Sequence, residues 1–464
     1  MELISLAPDY HGRFSDKRLD KRAAFISNTI MHSKTGSVRS FTSTEASQKA
    51  AYRFLKNEKV EEKLLVDALK EKTSHLCSNR EVLVLQDTTC IDLTAHKGRL
   101  QPGTGLGPIG NYEGGAIGFY LHAALVIDPL RSTILGFSSY NQWNRNLDQG
   151  NKNSRSYKKL PIEQKEASKW FIGSNESKEI LSPAKHITII EDREGDIYDQ
   201  FALVPDDRTD LIIRSRDDRR VNQGDKLYDV LASADVAGHF ELSIEGDIRK
   251  GIKKRIALIE VRYTTLLMQR PVSVNKTLPR QVKICAVQAK EINANHSKPI
   301  IWRLLTTRDV ESFSDALSII NAYKCRWYIE QFFRLMKKKG FKVEDSELEA
   351  GWAIRKLSVL VAGSVLRIMQ MLLCYGEEAG QSVTEVFSEQ ETKCLQVLQK
   401  QVQSERVKNP YNIQSLSWGT WIIARLGGWK GTKKERPPGP ICLKNGLDKF
   451  NLIYQGWKMA RDVS

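Results

Sequence analysis

The sequence predicts an α/β protein: a mixed-sheet core interrupted by a β-rich insertion at about 220–305, with helical regions on both sides. Three observations predict it. EVLVLQD from Glu81 and HITIIED from His186 are short apolar runs of the kind found in buried central strands. Stretches of helical period lie between and around them, as in α/β folds. Between Val221 and Thr306, segments such as HFELSIEG, RIALIEVRY, RQVKICAVQ and IIWRLLTT read as further strands, several alternating apolar with basic residues.

Taken in order, residues 1 to about 70 are helical in period and basic, with Lys17, Arg18, Lys21, Arg22, Lys34, Arg39, Lys49, Arg53, Lys56 and Lys59. Ala50, Ala51, Phe54 and Leu55 give them a small apolar face, so a compact helical module presenting cations is expected. A central domain then runs over about 71–375. Its first strand ends in Asp87, and a Gly-rich stretch from Gly103 to Gly118 follows. FYLHAALVID and STILGFSSY form an antiparallel pair, and a polar helix is expected around Ile162–Phe171. The second buried strand ends at Asp192, and a third, from Asp210, delivers Arg214, Arg216, Arg219 and Arg220. After the insertion, Trp352–Leu373 is too apolar for a surface helix and, with Arg355, Lys356 and Arg367, too interrupted for a membrane span; it belongs in a core. Residues 376–464 are helical and polar, with a Lys, Arg and Pro linker at Lys430–Pro440.

The charge balance narrows the partner. Against 55 Asp and Glu stand 71 Lys and Arg, a formal charge of +16, and such a field favours a polyanion such as nucleic acid. No run approaches the roughly 18–20 apolar residues of a span, and the N-terminus lacks the plan of a signal peptide, so a cytoplasmic protein is expected. The seven cysteines form no CxxC pair and the eight histidines are dispersed, which disfavours a disulfide framework or a zinc site. GTGLGPIG has no P-loop lysine. Any metal would have to be held by carboxylates.

The most informative segment is AYKCRWYIEQFFRLMKKKG, from Ala322 to Gly340. Read as one helix, it sets Tyr323, Arg326, Glu330 and Lys337 within roughly 60° of one another along about 21 Å. Ile329, Phe332, Phe333 and Met336 fall on a second stripe that would bury it. A row of this kind is ordinarily a solvated face of weak ion pairs. Here one carboxylate stands among groups suited to phosphate. With Asp87 and Asp192 at strand ends and Glu330 on a later helix, three carboxylates could converge on hard divalent cations. Two Mg²⁺ ions about 4 Å apart can activate a water or a 3′-hydroxyl against a phosphodiester. A single strand-end aspartate is more often a turn or helix cap.

These motifs resemble those of the DDE transposases of the insertion sequence four family, and within it the bacterial transposon five subgroup. Tyr323, Arg326, Glu330 and Lys337 reproduce the subgroup's Y-(2)-R-(3)-E-(6)-K spacing, QDTTC matches the family's first aspartate, and DREGD its second. AYRFLKN, WRLLTT and ARLGGW extend the likeness over nearly the whole chain. The resemblance implies an RNase H-like core, with Asp87, Asp192 and Glu330 as the catalytic, metal-binding triad for two Mg²⁺, or Mn²⁺ in their place. It implies DNA contacts by Tyr323, Arg326 and Lys337, with Arg193, Arg214 and Arg216 after the second aspartate. Trp302 would stack on a flipped base, and Trp327 is a further candidate for that distortion. Cut-and-paste transposition through nicking and a DNA hairpin is the implied activity. A homodimer on inverted-repeat ends and target DNA is the implied assembly, with residues 376–464 serving dimerisation. An RNase H-type nuclease that only hydrolyses and a non-catalytic DNA-binding protein are the alternatives.

Overall fold

Isoleucine and valine runs make the buried parallel strands of the sheet. The computed structural model describes residues 8–110, 115–145, 160–244, 254–294, 299–376, 381–432 and 435–462. The Gly-rich stretch, the β-rich insertion and the Lys430–Pro440 linker therefore lie partly outside the described residues. By packing, the chain divides into two units, Asn79–Asp87 with Asn151–Trp327, and Met1–Ser78 with Thr88–Gly150 and Tyr328–Ser464. These limits do not coincide with the domain limits near residues 70 and 375 expected from the sequence.

In the unit containing Asn151–Trp327, strand Glu81–Asp92 pairs in parallel with His186–Glu191, Leu85 lying opposite Ile190. Strand His186–Glu191 in turn pairs in parallel with Thr209–Arg214. Val82, Val84, Ile187, Ile189, Ile190, Leu211, Ile212 and Ile213 are all buried, as strands covered on both faces require. Strand Ile301–Thr306 then adds antiparallel to Thr209–Arg214, followed by Gln281–Glu291, Arg255–Gln269 and Val236–Ile244, each antiparallel to its neighbour. The expected insertion thus continues the same sheet, because Leu304 and Leu305 bury against it as a central strand would.

Two expectations are corrected here. Strand Glu81–Asp92 does not end at Asp87 but runs five residues further, through the β-favouring Thr88, Thr89 and Ile91. The helix after the hairpin is Ser168–Ile180, with only a short 3₁₀ turn at Ile162–Gln164. Its buried face is Trp170, Gly173, Ser174 and Ser177, and the last three are too small or polar to show the helical period to a hydrophobicity reading.

In the other unit, helices Lys17–Met31, Val38–Phe41, Glu45–Lys56 and Glu62–Leu76 confirm the helical N-terminal pattern. Asp16 caps the first, and Thr44 with Ser47 forms a capping box on the third. Strands Ile117–Asp128 and Thr133–Trp143 are the expected antiparallel pair. Helix Glu62–Leu76 lies on Thr133–Trp143. Gly136, at φ +128°, lets Thr73 approach the strand where a Cβ would block it. Helix Gly351–Cys374 is the axis of this unit, touching the first, third and fourth helices and later Leu416–Leu426 and Pro440–Asp462. It is long and apolar enough to cross a membrane, yet its most apolar window is 89% buried in the protein, as the core reading requires.

Candidate functional site

The Tyr323–Lys337 segment is not one helix. Helix Phe313–Lys324, started by a Ser312–Asp315 capping box, stops at Cys325, and a second helix, Trp327–Met336, begins two residues later. In the break, the amides of Cys325 and Arg326 bond the carbonyls three residues back, Ala322 and Tyr323, at 3.1 and 3.0 Å. That tighter winding turns the chain by about 120° per residue instead of 100°, so the segment is two helices and not the single continuous one expected. The apolar stripe survives: Ile329, Phe332, Phe333 and Met336 are buried, with the Phe332 ring 4.9 Å from that of Phe137.

The end of helix Phe313–Lys324 and the break after it bring one side chain to each of the two aspartates. Arg326 Nη1 donates to Asp87 Oδ2 at 3.0 Å, and the Tyr323 hydroxyl donates to Asp192 Oδ1 at 3.4 Å. Asp87 and Asp192 are carried by neighbouring parallel strands, the first within Glu81–Asp92 and the second directly after His186–Glu191. Burial raises the Tyr323 phenol above its ordinary pKa and the Asp192 carboxylate adds to the rise, so the hydroxyl remains a donor. The Trp302 ring meets Tyr323 edge to face at 6.0 Å, and the Arg326 guanidinium lies 6.0 Å from the same ring.

The other expected residues take varied positions. Arg193 and Arg216 are exposed, and Arg216 Nε pairs with Asp217 at 2.9 Å. Arg214 is half-buried, its Nη2 donating to the Ile301 carbonyl at 3.4 Å. Trp327 is 45% exposed. Glu330 and Lys337 belong to the other packing unit. Glu330 is exposed in the first turn of Trp327–Met336, and Lys337 is half-buried just past that helix.

Two supports of the Asp192 turn escaped the sequence reading. Asp196 is buried and paired with Arg219, and its Oδ2 accepts the Arg216 amide at 2.8 Å. Glu191, fully enclosed, accepts from Ser174 and Gln200, and burial pushes its carboxyl up to about 8. The second aspartate of DREGD was the available signal for the first. Nothing in an otherwise apolar strand pointed to the second.

As donors, Asp87 and Asp192 suit a hard divalent cation, which takes carboxylate oxygen. Among the described residues, no group of three His, Cys, Asp or Glu side chains is gathered so as to hold a metal ion. Among the described residues, the seven cysteines form no disulfide.

Residues 11–60 match a family model described as transposase DNA-binding. The match covers the first three N-terminal helices and supports DNA as their partner. On helix Glu45–Lys56, Lys49, Arg53 and Lys56 are exposed while Ala51, Phe54 and Leu55 are buried, so the cations share the outer face. Among solved structures, a cryo-EM structure of a piggyBac transposase synaptic complex with hairpin DNA aligns over 94% of this chain and 76% of its own. The identity is 9% and the TM-score 0.37, too loose a likeness to carry an argument.

Proposed function

We propose that this chain is a cut-and-paste DNA transposase of the DDE type, related to the insertion sequence four family, that acts as a dimer on paired element ends. The observation that carries the reading is the transposase DNA-binding match at residues 11–60. The neighbouring strand positions of Asp87 and Asp192 support an RNase H-like catalytic core around it.

In this reading Asp87, Asp192 and Glu330 would hold Mg²⁺ or Mn²⁺. Such an ion supplies Lewis acidity and lowers the pKa of an attacking water or 3′-hydroxyl. The protein's own groups do the rest. Exposed cations on the N-terminal helices bind backbone phosphate and release its counterions, which supplies affinity without sequence choice. Tyr323, Arg326 and Lys337 grip the phosphates next to the cut, with Arg193, Arg214 and Arg216 as outer contacts. Trp302, beside Tyr323, offers an aromatic face to a base unstacked during hairpin formation.

The test uses purified full-length protein, Mg²⁺ and DNA carrying the inverted repeats that flank the coding region. Asp87→Ala, Asp192→Ala and Glu330→Ala are each expected to abolish cleavage, and full cleavage by any one of them would overturn the assignment. Joining of a pre-cut end to target DNA separates a transposase from a nuclease that only hydrolyses, which would give no joined product.

A further inference from the structure

Two of the groups expected to bind phosphate, Arg326 and Tyr323, are bonded instead to the two aspartates expected to bind metal. Arg326 Nη1 lies 3.0 Å from Asp87 Oδ2, with the two side chains only 13% and 21% exposed. Tyr323, itself 5% exposed, directs its hydroxyl at Asp192. Tyr323 lies in the last turn of helix Phe313–Lys324 and Arg326 in the tight turn that follows it, so one short segment reaches both carboxylates. We propose that Arg326 and Tyr323 form a latch that holds the Asp87–Asp192 pair closed to divalent cations until a DNA phosphate draws the two side chains away.

The inference rests on the proposed function and adds a regulation to it. A guanidinium is a permanent cation with a fixed fork of donors, equally suited to a carboxylate and to a phosphate. Arg326 can satisfy one such partner fully but not both. While it sits on Asp87, it neutralises the charge that would attract a metal ion, and an arriving cation meets like-charge repulsion as well as an occupied oxygen. Tyr323 acts in the same direction more weakly, since its hydroxyl uses one Asp192 lone pair without bringing charge. When a phosphate takes Arg326 and Tyr323, both carboxylates recover their full affinity for a cation. Cation and DNA are therefore coupled, and the coupling is reciprocal: each tightens the other by the same factor. The device would keep the site without metal, and so without hydrolytic activity, in protein not engaged on DNA.

The experiment measures Mn²⁺ binding to the full-length protein by calorimetry, with and without a short duplex carrying the flanking inverted repeat. Arg326→Gln, shown to be folded by its circular dichroism and melting curve, is expected to bind Mn²⁺ about 5- to 150-fold more tightly than wild type without DNA. Tyr323→Phe should give a smaller gain in the same direction. Adding Asp87→Asn to Arg326→Gln should remove the gain, which ties it to this carboxylate. A folded Arg326→Gln that binds Mn²⁺ no more tightly than wild type overturns the latch. Should that variant not fold, wild type decides alone: a Mn²⁺ affinity unchanged by the duplex overturns the proposal, and a tighter one upholds it. Retained cleavage by Asp87→Ala would sink the transposase reading itself. Wild type that cuts DNA while its Mn²⁺ affinity ignores Arg326 would sink only the latch.

Discussion

Arg219 donates to the carboxylate of Asp196, a side chain with no exposed surface, four residues beyond Asp192. The same carboxylate accepts the amide of Arg216, so one buried anion ties the turn after strand His186–Glu191 to the loop after Thr209–Arg214. Removing one partner of a buried pair strands the other charge, at a cost of about 3–5 kcal/mol. Arg219→Ala is therefore expected to lower unfolding free energy in urea by about that amount. Replacing both partners together, as Asp196→Asn with Arg219→Met, should recover much of the loss. Equal losses for the single and double variants would show that packing, not the stranded charge, is the cause.

Glu191 gives a pH dependence of definite sign. Its folded carboxyl is raised to about 8 by burial, above the ordinary value of 4.5, so between those values the folded state keeps a proton that the unfolded chain has released. Stability contributed by this group is present below about pH 4.5 and falls as pH rises towards 8, after which it is level. Glu191→Gln keeps the polar shape and cannot ionise. Its stability relative to wild type is expected to increase steadily from pH 5 to 8 in urea denaturation, and a constant difference across that range would contradict the burial argument.

What the sequence made legible follows from how local each signal is. The strands around Val84 and Ile189, the hairpin, and the core helix containing Leu360 are written in runs of neighbouring residues, and the structure has them. The helix containing Ser174 lies later than its expected span because, Trp170 apart, its buried face is serine and glycine, whose burial depends on a tight fit that periodicity does not record. The break at Cys325–Arg326 was missed for a related reason. No proline or glycine marks it, and both residues remain in helical order with hydrogen bonds merely one residue shorter. The contacts of Arg326 and Tyr323 with Asp87 and Asp192 join positions far apart in the chain, so motif spacing could name the residues but not their partners.

The outer face of helix Glu45–Lys56 predicts a salt effect. Arg53 and Lys56 are exposed, lie in the last turn and share a face with Lys49, which pairs with Glu45 at 2.6 Å. If Arg53 and Lys56 each neutralise one phosphate, Arg53→Ala and Lys56→Ala weaken binding to all duplexes alike. Each should also reduce the slope of log affinity against log salt by about 0.9. Fluorescence anisotropy over a salt series measures both quantities. An unchanged slope would remove this face from the DNA interface. A loss confined to one DNA sequence would make the contact one to bases instead.

Trp302 separates a role in base capture from one in packing. Its ring is half-buried and stands edge-on to Tyr323, whose hydroxyl reaches Asp192, so an unstacked base resting on its free surface would lie beside the proposed cut. Stacking of one base on an aromatic side chain is worth about 1–3 kcal/mol, hence roughly 5- to 150-fold in the rate of a step that needs the flipped state. Trp302→Ala should slow hairpin formation by a factor in that range while the first nick proceeds at its normal rate, and Trp302→Phe should restore most of the loss. A 2-aminopurine placed next to the cut reports the unstacked base directly. Because Trp302 also supports Tyr323, the contrast between the two steps is decisive. Parallel slowing of nicking and hairpin formation would mean that the tryptophan merely holds Tyr323 in place, whereas a defect in hairpin formation alone requires a base against its ring.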